Sequence, residues 1–155
     1  MLFRSRASYF TYPHFPFVAP PELTGAGGKI WPVAIIGAGP AGLVAALELA
    51  RRGIEVVLLE ADASLADGSR ALCISRRSME ILQRNGLAEA VMAEALGWTH
   101  GTSYWRQHAV YRLEMAHSQD ERFPPMANLQ QCLLQDLLVR RAADIPAIED
   151  RKSVV

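Results

Sequence analysis

One segment of the sequence contains a complete structural unit: VAIIGAGPAGLVAALELARRGIEVVLLE, residues 33–60. Residues 33–36 are a short apolar, β-branched run that ends at a glycine, which is typical of a buried parallel strand. Residues 40–52 are rich in helix formers, with a proline in the first turn and a glycine just past the end. Residues 54–59 are a second apolar run, and Glu60 follows it. The segment therefore predicts a right-handed strand–helix–strand unit and an α/β fold.

The loop between the first strand and the helix has the GxGxxG pattern. Gly37 permits the tight turn, Gly39 lets the backbone approach a pyrophosphate, and Gly42 lets the helix pack against the strand. The helix N-terminus supplies free N–H groups and the positive end of a dipole. Glu60 follows Gly42 by eighteen positions, where a carboxylate accepts hydrogen bonds from ribose hydroxyls. The predicted dinucleotide site comprises Gly37, Gly39, Pro40, Ala41, Gly42 and Glu60.

Composition limits the classes of protein to which the chain can belong. It has 155 residues, half of them hydrophobic, and a formal net charge of zero. A complete two-domain enzyme does not fit this length, and a neutral chain predicts neither a nucleic acid nor a membrane partner. Cys73 and Cys132 have neither disulfide-scaffold nor CxxC spacing, so we expect two reduced thiols and a cytoplasmic location.

The rest of the chain divides into an arm and a domain. Residues 1–31 are rich in aromatic residues and prolines and predict an extended arm, whereas residues 32–155 predict a partial nucleotide-binding domain. The domain carries five further predicted elements and a final strand: helices over 75–84 and 87–95, short strands over 102–106 and 109–115, a helix over 129–142, and a third sheet strand that starts at 153.

No catalytic residue and no metal site are predicted. The four histidines share no ligand spacing, and no serine has a GxSxG setting. Trp98, Tyr104 and Trp105 could border a substrate cavity, but strand aromatics are more often core residues, and we expect these three to be core.

The GxGxxG motif does not distinguish NAD from FAD, but longer stretches of the sequence do. Residues 33–62 resemble the opening unit of FAD-dependent enzymes of the glutathione-reductase type. The stretches GSRALCISRRSMEIL, residues 68–82, and FPPMANLQQ, residues 123–131, resemble the flavoprotein aromatic hydroxylases, above all those acting on 3-(3-hydroxyphenyl)propionate. The resemblance implies a glutathione-reductase-type FAD-binding Rossmann fold, with an incomplete parallel sheet, helices and a small β excursion.

The resemblance also implies roles for single residues. Arg70 matches an arginine that lies near the flavin diphosphate. A guanidinium group suits phosphates because it can donate two parallel hydrogen bonds to their oxygens. Gln131 matches a glutamine whose amide contacts the cofactor. Many family members carry an acid at the position of Gln135, so this sequence departs from the pattern there and a local salt bridge is in doubt.

The function implied by the resemblance is the hydroxylation of phenols with FAD as cofactor, NAD(P)H as co-substrate and O₂ as oxidant. The family enzymes are several times longer, so we expect a fragment without the substrate domain, or a piece that needs a complementing C-terminal chain. Two alternatives stay open: an NAD(P)-binding domain of a dehydrogenase or regulator, and a non-catalytic remnant that folds poorly.

Overall fold

The computed structural model describes residues 10–25, 27–66 and 73–152. They contain one 3-10 turn, Pro21–Thr24, and twelve regular elements. Four are α-helices: α1 Pro40–Ala50, α2 Arg76–Arg84, α3 Ala88–Glu94 and α4 Gln131–Ala143. Eight are strands: β1 Val33–Ile36, β2 Val56–Leu59, β3 Cys73–Ser75, β4 Leu96–Trp98, β5 His100–Trp105, β6 His108–Glu114, β7 Met126–Asn128 and β8 Ile148–Arg151.

A three-stranded parallel sheet forms the centre of the described chain, in the order β1-β2-β8. Val33 pairs with Val56 and Val56 pairs with Ile148, so all three strands end at the same edge. β2 lies in the middle and its first three residues are buried, as its continuous apolar sequence predicts. The α/β fold and the strand–helix–strand unit are confirmed.

The third strand of this sheet was predicted at the wrong place. Sequence reasoning started it at Ser153, whereas the structure forms it over Ile148–Arg151; residues 153–155 lie outside the described part of the chain. The segment IEDR has three charged residues and no apolar run, so its sequence gives no strand signal. It is stable as an edge strand because its charges find partners at the surface, such as Arg151 with Glu149 and with Glu22.

The core lies between the sheet and two helices. α1 and α4 pack against each other and against the sheet, and their apolar residues bury fully: Leu43 and Leu47 of α1 and Leu138 of α4, beside Val56 and Leu58 of β2. Burial of each such side chain contributes about 1.5–3 kcal/mol to folding. This core fixes α1 over β1 and β2, and thereby fixes the loop that joins them.

A second, smaller sheet carries the segments that follow β2. Its order is β3-β7-β4 with antiparallel pairing. The Asn128 side chain joins its strands, because its Oδ1 accepts hydrogen bonds from the indole N–H of Trp98 at 2.9 Å and from the thiol of Cys73 at 3.2 Å. β3, β4 and β7 were not predicted, since three residues are too few to show a period.

Predicted helix ends are confirmed in this region. Ser75 caps α2 by accepting a hydrogen bond from Ser78 N, and Asn85-Gly86 ends it, with Gly86 at φ +74°. Arg76 also connects the start of α2 to the loop between β6 and β7, since it donates to the carbonyls of Ala116 and Phe123 and pairs with Glu121.

The predicted hairpin is confirmed, but the interpretation of its aromatics is not. β5 and β6 pair only with each other among the described strands. Tyr104 and Trp105 are 65% and 68% exposed, so their assignment to the core was wrong; Trp98 is half-buried. No other element of the described residues packs extensively on the hairpin, and strand propensity alone does not report that.

The described residues contain neither a membrane-spanning helix nor a cluster of metal ligands. No helix in the part of the chain that the structure describes is long and apolar enough to cross a bilayer. No three His, Cys, Asp or Glu side chains within the described ranges stand close enough together to hold a metal ion.

Glu48 of α1 joins this helix to the end of α2 and predicts acid sensitivity. Its carboxylate accepts hydrogen bonds from Arg52 and from Asn85, both at 2.9 Å, and these donors lower its pKa to about 2. A carboxyl group whose pKa is lower in the folded state stabilises the fold at pH values above its unfolded-state pKa, 4.5. This contribution is lost as the pH falls toward the folded-state pKa of about 2. We expect urea unfolding of Glu48→Gln to depend less on pH between 4.5 and 2 than that of the wild type.

The control for this measurement is Glu94→Gln, since Glu94 is exposed at the end of α3. It should keep the wild-type dependence on pH. An equal dependence in Glu48→Gln would show that the α1–α2 contact does not carry the acid sensitivity.

Candidate functional site

The glycine-rich loop leaves β1 and turns into α1 within three residues. Gly37 has φ +102°, a backbone conformation that is unfavourable for residues with a Cβ atom. Its N–H donates to Leu59 O at 2.7 Å, which ties the loop to the end of β2. The tight turn that the sequence predicted at Gly37 thus requires glycine in the structure.

Gly42 and Gly39 differ in what a side chain would meet. A Cβ at Gly42 would lie 2.0 Å from Gly37 O, so this glycine permits the close approach of α1 to the loop. Gly39 has an ordinary extended backbone, φ −71° and ψ 173°, and a Cβ there would meet nothing within 4 Å. The space over Gly39 is therefore open, as a site for a bound group requires.

The N-terminus of α1 faces the same space. Gly39 is the N-cap, and its carbonyl accepts the hydrogen bond of Leu43 N at 3.0 Å. Pro40 has no N–H, so the amides that lack an intrahelical acceptor in the first turn are those of Ala41 and Gly42. Free amides and the positive end of a helix dipole favour an anionic group such as a phosphate.

Glu60 closes the loop from the other side. Its Oε2 accepts a hydrogen bond from Ala38 N at 2.7 Å, and its Oε1 accepts one from Asp62 N at 3.0 Å. A carboxylate has about four acceptor positions, so both oxygens keep capacity for further donors. The structure thus brings Glu60 to the GxGxxG loop and holds it in a fixed orientation.

Gln135 holds the same loop from α4, and sequence reasoning missed this role. Its Nε2 donates to Ala38 O at 2.8 Å and its Oε1 accepts from Ala66 N at 3.2 Å. The residue is 6% exposed; its bond to Ala38 is buried and its bond to Ala66 is partly buried. A carboxylate at this position could accept from Ala66 but could not donate to Ala38, and the departure from the family pattern therefore gives the loop a donor. The only sequence signal was that departure.

A cavity of about 490 Å³ lies beside the helix N-terminus. Pro40, Ala41 and Gln131 contribute to its wall, so the structure brings three of the predicted site residues together. The rest of the wall is mostly apolar and comes from α1, α2, β3 and α4. Arg70, the remaining predicted site residue, lies outside the described residues.

Lys152 is a second residue near the site that sequence reasoning missed. It follows β8, and its ammonium group pairs with Asp150 and stands 4.5 Å from the centre of the Phe15 ring. Burial lowers its pKa to about 8, and the negative charge of Glu60 acts in the opposite direction. A half-buried cation thus lies close to the carboxylate that sequence reasoning assigned to ribose.

Comparison with known protein families gives one match over most of the chain. Residues 31–153 match the family described as FAD binding domain. This match includes the loop at 37–42, Glu60, Arg70 and Gln131. It begins after the aromatic arm.

Curated relatives are monooxygenases. The para-nitrophenol 4-monooxygenase of Pseudomonas sp. (strain WBC-3) is 30% identical over 125 residues, which cover 77% of this chain and 30% of that protein. The 3-(3-hydroxy-phenyl)propionate/3-hydroxycinnamic acid hydroxylase of Klebsiella pneumoniae is 41% identical over 66 residues, 43% of this chain and 12% of that protein. The chain thus spans about a third or less of the length of the relatives it matches.

Solved structures agree in fold. The crystal structure of p-nitrophenol 4-monooxygenase PnpA from Pseudomonas putida DLL-E4 superposes with a TM-score of 0.72 at 26% identity, covering 80% of this chain and 32% of that one. The flavin-dependent monooxygenase PieE, solved with FAD and substrate, gives a TM-score of 0.67 at 30% identity and covers 82% of this chain and 24% of that one. The resemblance to flavoprotein aromatic hydroxylases is confirmed, and none of these matches supports the NAD(P)-binding alternative.

The bonds of Gln135 predict a large effect of its removal. In Gln135→Leu, the buried Ala38 O and the partly buried Ala66 N lose their partners, so we expect a loss of about 1–3 kcal/mol in the free energy of unfolding. Denaturant unfolding measures this. The exposed Gln119→Leu is the matched control and should change the free energy by less than about 0.5 kcal/mol. Equal effects would show that the bonds of Gln135 do not stabilise the loop.

Proposed function

The chain belongs to the FAD binding domain family, and on this premise we propose that it holds the ADP part of FAD in a flavoprotein monooxygenase that hydroxylates phenolic compounds. The observation that carries the proposal is the hydrogen bond from Ala38 N to Glu60. It joins the two halves of a dinucleotide site, the GxGxxG loop and the acid at the end of the second strand, into one rigid unit.

The residues present fit FAD. The open space over Gly39 admits a pyrophosphate, and the amides of Ala41 and Gly42 would donate to its oxygens. Glu60 would accept from the ribose hydroxyls with the lone pairs that Ala38 and Asp62 leave free. We assign Arg70 to the diphosphate and the Gln131 amide to the cofactor on the strength of the family resemblance.

FAD, when bound, supplies the electron transfer and oxygen chemistry that amino acid side chains lack. A monooxygenase inserts one atom of O₂ into its substrate and reduces the other to water, which requires two electrons and protons from a donor. We propose NAD(P)H as this donor. The described residues would bind and orient the cofactor, and none of them is assigned a catalytic role.

The substrate is proposed from the relatives. The names of the relatives specify a nitrophenol and a hydroxyphenyl acid, so a phenolic ring is the substrate class that we propose. Most of the length of each relative lies outside the matched segment. We therefore assign substrate binding to further sequence or to a complementing chain, and not to the residues described above.

We propose that residues 1–31 form an arm outside the nucleotide-binding domain of residues 32–155, which agrees with the start of the family match at residue 31. We also propose a cytoplasmic location, supported by Cys73 and Cys132, which are unpaired thiols.

A valine at Gly39 should separate binding from folding. The extended backbone of Gly39 accommodates valine, but the side chain would occupy the open space over the loop. We expect Gly39→Val to fold like the wild type, by circular dichroism and thermal unfolding, and to lose saturable FAD binding in a fluorescence titration. FAD binding of wild-type strength by this variant would contradict the proposal.

Two companion variants control this experiment. Gly42→Val places its side chain against Gly37 O and should destabilise the fold by about 3 kcal/mol or more. Ala45→Val, at an exposed position of α1, should change neither folding nor FAD binding. A parallel titration with NADH tests the class of dinucleotide, since saturable binding of NADH but not of FAD by the wild type would favour a dehydrogenase domain.

A further inference from the structure

The N-terminal arm crosses the end of the sheet where Glu60 lies. Phe15 N donates to Ala63 O at 2.7 Å, and His14 forms an isolated antiparallel bridge with Ser64. Ala63 and Ser64 belong to the loop that follows Glu60. Residues 14 and 15 of the arm are therefore attached to the loop beside the proposed ribose position.

A second attachment holds the arm to the edge strand. Both carboxylate oxygens of Glu22 pair with the guanidinium of Arg151 in β8, at 2.9 and 3.2 Å. This paired geometry is the strong form of an arginine–carboxylate contact. Gly28 leaves room for it, because a Cβ there would lie 2.5 Å from the Glu22 side chain. The arm is thus fixed on both sides of the segment between residues 15 and 22.

A cavity of about 340 Å³ opens between this segment and β8. The arm contributes one wall with Phe15 and its prolines, and the chain from Glu149 to Lys152 contributes the other. The Phe15 and Lys152 end of the cavity lies beside Glu60, because Glu60 N donates to Arg151 O at 2.9 Å. The cavity and the proposed ribose position are therefore neighbours.

The cavity offers groups that suit an adenine ring. Phe15 is half-buried and supplies an aromatic face, and the Lys152 ammonium group beside it is a donor for ring nitrogens. Asp150 Oδ1 is buried and has no hydrogen-bond partner among the described residues. The 6-amino group of adenine donates hydrogen bonds, whereas guanine carries an acceptor at the same position.

We propose that the N-terminal arm forms the outer wall of an adenine-binding cavity, with Phe15 as a stacking residue and Asp150 as the acceptor that selects adenine. The inference rests on the proposed binding of FAD by this chain and goes beyond it, because Phe15 lies outside the segment that matches the family. Ribose at Glu60 places the attached base past the ends of β2 and β8, where the cavity opens.

The test is a calorimetric titration of the full chain with FAD, ADP and GDP. The wild type should bind ADP more tightly than GDP. Phe15→Ala should weaken FAD and ADP binding about tenfold, as expected when a base loses an aromatic partner. Asp150→Asn should reduce the preference for ADP over GDP. Phe17→Ala is the matched control, since Phe17 lies on the same arm, is 52% exposed and does not line the cavity.

The outcomes separate this inference from the proposed function. Failure of the wild type to bind FAD and ADP would overturn the proposed function and this inference with it. Binding of both by the wild type and equally by Phe15→Ala would leave the proposed function standing and overturn the role of the arm. Equal affinity of the wild type for ADP and GDP would overturn the role of Asp150.

Chemical labelling supplies a second readout that needs no variant. Lys29 and Lys152 are the two lysines of the sequence, so acetylation followed by mass spectrometry reports on each separately. ADP should slow the acetylation of Lys152 severalfold and leave that of Lys29 unchanged. Equal rates for Lys152 with and without saturating ADP would show that the nucleotide does not enter the cavity.

Discussion

The backbone N–H and C=O of Ala38 are both held by side chains from other parts of the chain, and the geometry of the proposed nucleotide site depends on this. The Glu60 carboxylate accepts from its N–H, and the Gln135 amide donates to its carbonyl. Ala38 itself is 1% exposed, and a buried backbone group without a hydrogen-bond partner is costly. One bond comes from the residue that follows β2 and the other from α4, and they fix the loop relative to both elements.

This arrangement explains why a short sheet can present an ordered site. Three strands leave few contacts at the sheet ends, yet the loop is tied to β2 through Gly37 and Glu60 and to α4 through Gln135. Helix α1 then starts at a defined point with its free amides directed at open space. A phosphate group would meet donors that are already oriented, which lowers the entropic cost of binding.

Charged residues stabilise the edge of the sheet that β8 forms. β8 has little apolar surface, and its side chains engage the arm and each other, as in the pair of Arg151 with Glu22 and the pair of Lys152 with Asp150. An edge strand of this kind resists unwanted pairing with other chains. It also brings polar groups to the border of the proposed nucleotide site, where an apolar strand would bring none.

The sequence by itself determined the strand–helix–strand unit, the GxGxxG turn and the acid at the end of the second strand. These features are local, because apolar runs, helix ends and glycine requirements act over a few residues. The resemblance to aromatic hydroxylases likewise depends on contiguous stretches. The exposure of Tyr104 and Trp105 was not accessible in this way, since burial depends on what packs against a strand.

Only the tertiary structure decided the contacts of Gln135, the positions of Phe15 and Asp150 on one cavity, and the position of β8. Gln135 lies 97 positions from its partner Ala38, and Arg151 lies 129 positions from Glu22. Hydrogen bonds and ion pairs between such distant residues follow from how helices and strands pack, and no periodicity in the sequence encodes them. Residues whose role is to bridge separate elements therefore become visible only when the chain is folded.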